Sequence, residues 1–209
     1  GYKLVGIDAS GLELRMLAHY MDDKEYTNEI LNGDIHTANQ KLAGLESRNQ
    51  AKTFIYALLY GAGDEKVGQV VGGNKKDGTK LRKRFDNNLP SFKAFRDRVS
   101  REARQGFIKA IDGRKLEVRS EHRSLNTLLQ GCGSIIMKEG LVLLNNKIKQ
   151  KNLDAKFVAN VHDEWQVEAL EAHAEQVGML GVDAIIAAGK HLSLNCPLDG
   201  EYNVGRNWS

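Results

Sequence analysis

Apolar positions along the chain recur at two spacings, alternate and helical, and together they predict a mixed set of elements. Tyr2 to Asp8 reads as a short strand ending on an acid. Gly11 to His19 has helical spacing, with Ser10 placed to cap it and Glu13 three residues on, the arrangement of a capping box. Asp22 to Asp34 is polar and loop-rich around a short helical piece from Tyr26 to Leu31, and His36 to Leu42 is helical. Ser47 caps a further helix that runs to about Tyr60 and stops at Gly61-Ala62-Gly63.

Gly72-Gly73-Asn74 and Asp77-Gly78 mark turns. Thr79 to Asn87 and Ser91 to Gly106 read as basic amphipathic helices separated by Pro90. Phe107 to Ile111 and Arg114 to Val118 flank Asp112-Gly113, a strong hairpin signal. Leu125 to about Lys149 reads as one long helix. Lys156 to Val161 and Glu164 to Ala169 form a second hairpin with His162-Asp163 at its tip, and Ala172 to Ala188 is a final helix. No internal repeat or low-complexity tract interrupts the pattern.

The 209 residues suffice for one large domain or two small ones, and 41% hydrophobic with 27% charged residues is ordinary for a globular protein. No apolar run is read as approaching the roughly 18 residues of a membrane span, and no membrane partner is expected. The start, GYKLVGIDAS, lacks the regions of a secretory signal, and a chain opening on Gly1 is expected to be a fragment or a processed product. Cys132 and Cys196 lie far apart and in no CxxC pattern, which argues against zinc and a disulfide framework and for an intracellular setting.

The net charge of +3 hides an asymmetry. Lys75 to Arg123 holds 16 Lys and Arg against 7 Asp and Glu. A basic middle between acidic ends suits a polyanion surface beside a metal-binding carboxylate region, although a solvated helix face would look the same.

Arg48, Lys52, Tyr56 and Tyr60 sit four apart in RNQAKTFIYALLYG. On a helix each step drifts only about 40°, so the four form one stripe roughly 18 Å long. Two cations followed by two aromatics suit a ligand with a polyanionic end and a flat end, as in a nucleoside triphosphate. The bland reading is a solvated pair of cations beside two core tyrosines.

Asp8 and Asp163 each end an apolar strand, and if the strands are neighbours the two carboxylates meet. Close carboxylates repel, and such a site normally holds divalent cations. Taken singly, each is more often a turn or cap residue. His36 is a lone histidine among polar neighbours. Asn126 and Gln130, four apart at the start of the long helix, could read minor-groove acceptors, or could be two exposed amides.

Together these pieces resemble a known pattern. DASGLELR, from Asp8 to Arg15, is similar to motif A of family A DNA polymerases, the DNA polymerase I-like group. RNQAKTFIYALLYG resembles motif B and VHDEWQV, from Val161 to Val167, motif C, in the same order and spacing. GDIHT, LYGAGDEKVGQ, DGRK and LNTLLQ look most like the replicative DNA polymerases of T-odd-type bacteriophages.

The resemblance implies an α+β fold. A polymerase palm, a small antiparallel sheet with helices, would occupy residues 1–25 and 107–209, and a mostly helical fingers subdomain residues 26–106. It implies template-dependent addition of dNTPs to a primer 3′ end. Asp8, Asp163 and the Ala9 carbonyl would hold two Mg²⁺ ions, with Mn²⁺ able to substitute, and Glu164 would assist. Glu13 would be the steric gate against a ribose 2′-hydroxyl. His36, Arg48 and Lys52 would hold the triphosphate, with Lys52 also offsetting charge in the transition state. Tyr56 would face the sugar, Tyr60 would pack at the template position, Asn126 and Gln130 would probe the primer-template minor groove, and His162 would touch the primer terminus.

The departure is upstream: thumb and exonuclease domains of the family are not in this sequence, and the basic segment is shorter than in the phage relatives. A thumb and exonuclease region on the same full-length chain, or on a second polypeptide, is therefore an expected partner beside DNA and dNTPs. The alternatives are an RNA polymerase of the single-subunit kind, which Glu13 opposes, and a non-catalytic DNA-binding module, which the retained carboxylates oppose.

Overall fold

The computed structural model describes residues 1–208. In chain order the elements are β1 (Tyr2–Ala9), α1 (Leu12–Met21), α2 (Lys24–Asn32), α3 (Ile35–Ala43), α4 (Arg48–Leu59), α5 (Asp64–Gln69), α6 (Lys75–Asn88) and α7 (Pro90–Ala103). Then follow β2 (Phe107–Lys109), β3 (Lys115–Glu117), a short 3₁₀ turn at Glu121–Arg123, α8 (Ser124–Gln150), β4 (Ala155–Val161), β5 (Glu164–Leu170), α9 (Glu171–His191) and β6 (Gly200–Gly205). The mixture of helices with a small antiparallel sheet is the expected α+β class. The chain divides into two compact units, one of Gly1–Met16 with Cys132–Ser209 and one of Leu17–Gly131.

The first unit is built on a four-stranded antiparallel sheet in the order β4-β5-β1-β6. The period of two sorts its faces. Val5, Ile7, Trp165 and Val167 are fully buried and point one way. Asp8, Gly6, Glu164 and Glu201 stand on the other, with Asp8 opposite Glu164 on one side and opposite Glu201 on the other. Helix α9 covers the apolar face, and its contact side is built of small residues, among them Ala174, Gly178, Gly181 and Ala188. The segment beyond β1 is anchored to the loop before β6. Ser10 N donates to the Asp199 carbonyl at 3.0 Å, Arg15 Nε donates to the Ser10 carbonyl at 2.8 Å, and Arg15 Nη1 donates to the Pro197 carbonyl. Strand β6 is absent from the sequence-based expectation, because GEYNVG is short, polar and bounded by glycine.

The second unit is helical apart from the β2–β3 hairpin. Its core joins Phe54 to Phe85 and Phe85 to Phe92 in edge-on ring contacts of 5.2 and 5.4 Å between centroids. The turn expected at Asp77-Gly78 is corrected: both residues lie in the first turns of α6, where Asn74 and Asp77 form a capping box. Gly78 serves close packing instead. A methyl group there would overlap the Asp64 carbonyl oxygen and come within 2.7 Å of Gly68 N, so α5 lies against α6 backbone to backbone. Pro90 does not separate two helices from outside; it opens α7 at its first position, where a missing N–H costs nothing.

Several cations of the basic segment are committed internally. Arg96 makes a bidentate pair with Asp86 at 2.8 Å, and Arg82 donates to Asp64 at 2.8 Å and to the Ala62 carbonyl at 2.6 Å. The expectation that no run approaches a membrane span is also corrected. Glu121–Gln150 is long enough, and over an 18-residue stretch apolar enough, to pass by length and composition, yet half of that stretch is buried, as in a core helix.

Candidate active site

In the first unit, register places the acids. Asp8 is the penultimate residue of β1, and Ala9 N donates to the Asp163 carbonyl at 2.9 Å, which fixes the tip of the β4–β5 hairpin beside the end of β1. His162 occupies that tip in the left-handed region, φ 52°, and is exposed, with Asp163 and Glu164 following it half-buried. Partial burial, then Asp163, Glu164, Glu201 and Glu13 push the Asp8 carboxyl up to about 6. The expected meeting of Asp8 and Asp163 is thus realised, with Glu164 and Glu13 in the same field.

Glu201 was not singled out in the sequence. Its signal is only the cross-strand register with Asp8, which depends on the unforeseen β6. Gln166 is a second addition. It is buried, and its Nε2 donates to Glu164 Oε1. Room for this amide comes from Gly6 opposite, where a Cβ would stand 2.8 Å from Gln166 Nε2.

Among the described residues no three His, Cys, Asp or Glu side chains form a finished metal cage. A divalent ion here would complete its shell from backbone carbonyl, water or ligand oxygens, which suits Mg²⁺ better than zinc. The gathering of Asp163, Glu164, Glu201 and Glu13 around Asp8 fits such a cation.

The second unit carries the stripe. Ser47 accepts from Gln50 N at 3.2 Å and Gln50 Oε1 accepts from Ser47 N at 3.2 Å, a capping box that starts α4 at Arg48. Ala51, Phe54, Ile55, Leu58 and Leu59 take the buried face. Arg48, Lys52 and Tyr60 are exposed and Tyr56 is half-buried, so the tyrosines of the stripe are not simply core residues. The rings of Tyr56 and Tyr60 stack with centroids 6.4 Å apart, and that of His36 lies 6.3 Å from Tyr56. His36 is the second residue of α3; burial first, then the cations Arg48 and Lys52, hold its imidazole below its ordinary range, with Asp34 opposing. One cluster therefore contains His36, Arg48, Lys52, Tyr56 and Tyr60.

Asp34 is the member of this cluster that the sequence did not flag. It caps α3 and also accepts from Arg48 Nε at 2.6 Å. Asn126 and Gln130 stand on the first turns of α8, half-buried and exposed respectively.

A family model described as DNA polymerase family A matches residues 1–209. The chain is 43% identical to the DNA-directed DNA polymerase of Enterobacteria phage T3 and 44% identical to that of Escherichia phage T7, over 97% and 98% of its length and 32% of theirs. The DNA polymerase I of Pseudomonas aeruginosa is 29% identical over the whole chain and 25% of that relative. The chain thus spans about a third of the length of the phage relatives it matches. Its fold is similar to the POL domain of Pol1 from M. smegmatis, solved in complex with DNA primer-template and dNTP, with a TM-score of 0.86 at 22% identity over 99% of this chain and 40% of that one. On the whole-chain family match, this chain belongs to DNA polymerase family A.

Proposed function

We propose that the chain carries the nucleotidyl-transfer centre of a DNA-directed DNA polymerase, with the first unit as palm and the second as fingers. The observation that carries this reading is the acid cluster at the ends of β1 and β5, centred on Asp8. The names of the phage relatives and the whole-chain family match support it.

Asp8, Asp163 and the Ala9 carbonyl would hold divalent cations, Mg²⁺ with Mn²⁺ as substitute, which supply charge neutralisation and lower the pKa of the attacking hydroxyl. Glu164, kept in place by Gln166, borders that site. In the second unit Arg48, Lys52 and His36 bind the triphosphate of the incoming dNTP, and Lys52 donates to the leaving pyrophosphate as negative charge builds there. Tyr56 covers the sugar and Tyr60 the templating position. The primer 3′-hydroxyl attacks the α-phosphorus, and the bond to pyrophosphate breaks. Glu13, on the first turn of α1, excludes a 2′-hydroxyl. Asn126 and Gln130 donate to the minor groove of the primer-template, and His162 contacts the primer terminus.

The test is primer extension by the full-length protein. Asp8→Ala and Asp163→Ala each reduce dNTP incorporation by more than about 100-fold while primer-template binding persists. Extension at near wild-type rate in either variant overturns the assignment.

A further inference from the structure

Asp34 is a carboxylate with four polar partners. Oδ1 accepts from His36 N at 3.0 Å and Thr37 N at 3.4 Å; Oδ2 accepts from Thr37 Oγ1 at 2.9 Å and Arg48 Nε at 2.6 Å. Three of the four come from the first turn of α3, so the carboxylate is fixed by the helix end it caps. The fourth reaches across to the first residue of α4.

The plain alternative is a surface ion pair. Both side chains are about half exposed, 52% for Arg48 and 41% for Asp34, and such pairs add little to stability. The geometry has another use. Asp34 engages Arg48 through Nε alone, which leaves the two terminal nitrogens as a fork for an anion. The same carboxylate fixes the backbone of His36, whose imidazole lies within the field of Arg48 and Lys52. A single side chain therefore orients two groups of one cluster.

We infer that Asp34 is a positioning residue for the incoming nucleotide, aiming the Arg48 fork and the α3 terminus that carries His36 at the triphosphate. This rests on the reading of the second unit as the nucleotide-binding part of a polymerase. Held by Nε, the guanidinium plane does not have to be ordered when a triphosphate arrives, so the effect falls on binding rather than on bond breaking.

The test uses steady-state primer extension by the full-length protein. Asp34→Asn is the informative variant, because asparagine caps a helix as well as aspartate while the charged anchor is lost. The expected result is a KM for dNTP raised roughly tenfold, with kcat changing far less. In an Arg48→Lys background, which has no Nε anchor, adding Asp34→Asn produces no further rise. A merely structural role would lower kcat and melting temperature together and would act equally in both backgrounds. An unchanged or lowered KM in Asp34→Asn, or the same rise in the Arg48→Lys background, overturns the inference and leaves the polymerase reading standing. Absence of dNTP-dependent extension by the wild-type protein instead overturns the polymerase reading itself.

Discussion

Gly6 lies opposite Gln166 across the β1–β5 ladder, and the missing side chain is what lets the Gln166 amide reach Glu164. A methyl group at Gly6 would press on the far end of a flexible side chain, not on backbone, so the sheet can absorb it by moving the amide. Gly6→Ala is therefore expected to leave the melting temperature within a few degrees while lowering kcat for primer extension several-fold, roughly the loss of one positioning hydrogen bond. Loss of stability without loss of kcat would show that Gly6 serves packing instead.

Asp8 should weigh against the stability of the metal-free protein. Its folded pKa of about 6 lies above the unfolded carboxylate value of about 3.9, so the folded state holds the extra proton between those values and stability falls as pH rises through that window. Asp8→Asn stays neutral throughout. Melting in EDTA is expected to put Asp8→Asn above wild type at pH 8, with the two converging near pH 4. A gap that does not change with pH would assign the effect to something other than ionisation.

Gly78 should be intolerant of even a methyl group. In an open helix Gly→Ala is worth up to about 1 kcal/mol of stability, but here the backbone of α5 occupies the space. The overlap with the Asp64 carbonyl can be relieved only by separating two helices, so Gly78→Ala is expected to destabilise by about 2 kcal/mol in denaturant unfolding. Gly63→Ala is the control: a methyl there meets nothing within 4 Å, and φ is −70°. Equal, small effects at both positions would sink the close-packing account.

Much of this arrangement was legible from local pattern. The cap at Ser47, the period of the stripe and the apolar flanks of Asp8 and Asp163 are short-range signals, and α4, β1, β4 and β5 follow them closely. Gly78 misled because glycine after aspartate serves a turn and a helix contact equally well, and only the partner helix decides between them. Asp34 read only as the end of a polar, loop-rich stretch; the structure makes it the cap of α3, and its second role depends on Arg48, fourteen positions away. Glu201 becomes a neighbour of Asp8, and Gln166 of Gly6, only through strand register, a property of pairings that no single segment encodes.

The sheet order β4-β5-β1-β6 has a consequence for how the protein comes into being. Strand β1 is made first, yet both of its neighbours come from the far end of the sequence. Pairings closed over so long a loop form slowly, after the local helices. During synthesis the chain displays Arg48 and Lys52 well before Asp8 has any acidic neighbour from β5 or β6. A cut between Gly61 and Val161 would leave all three motif segments whole and still part Asp8 from Glu164 and Glu201, unless the two pieces found each other again.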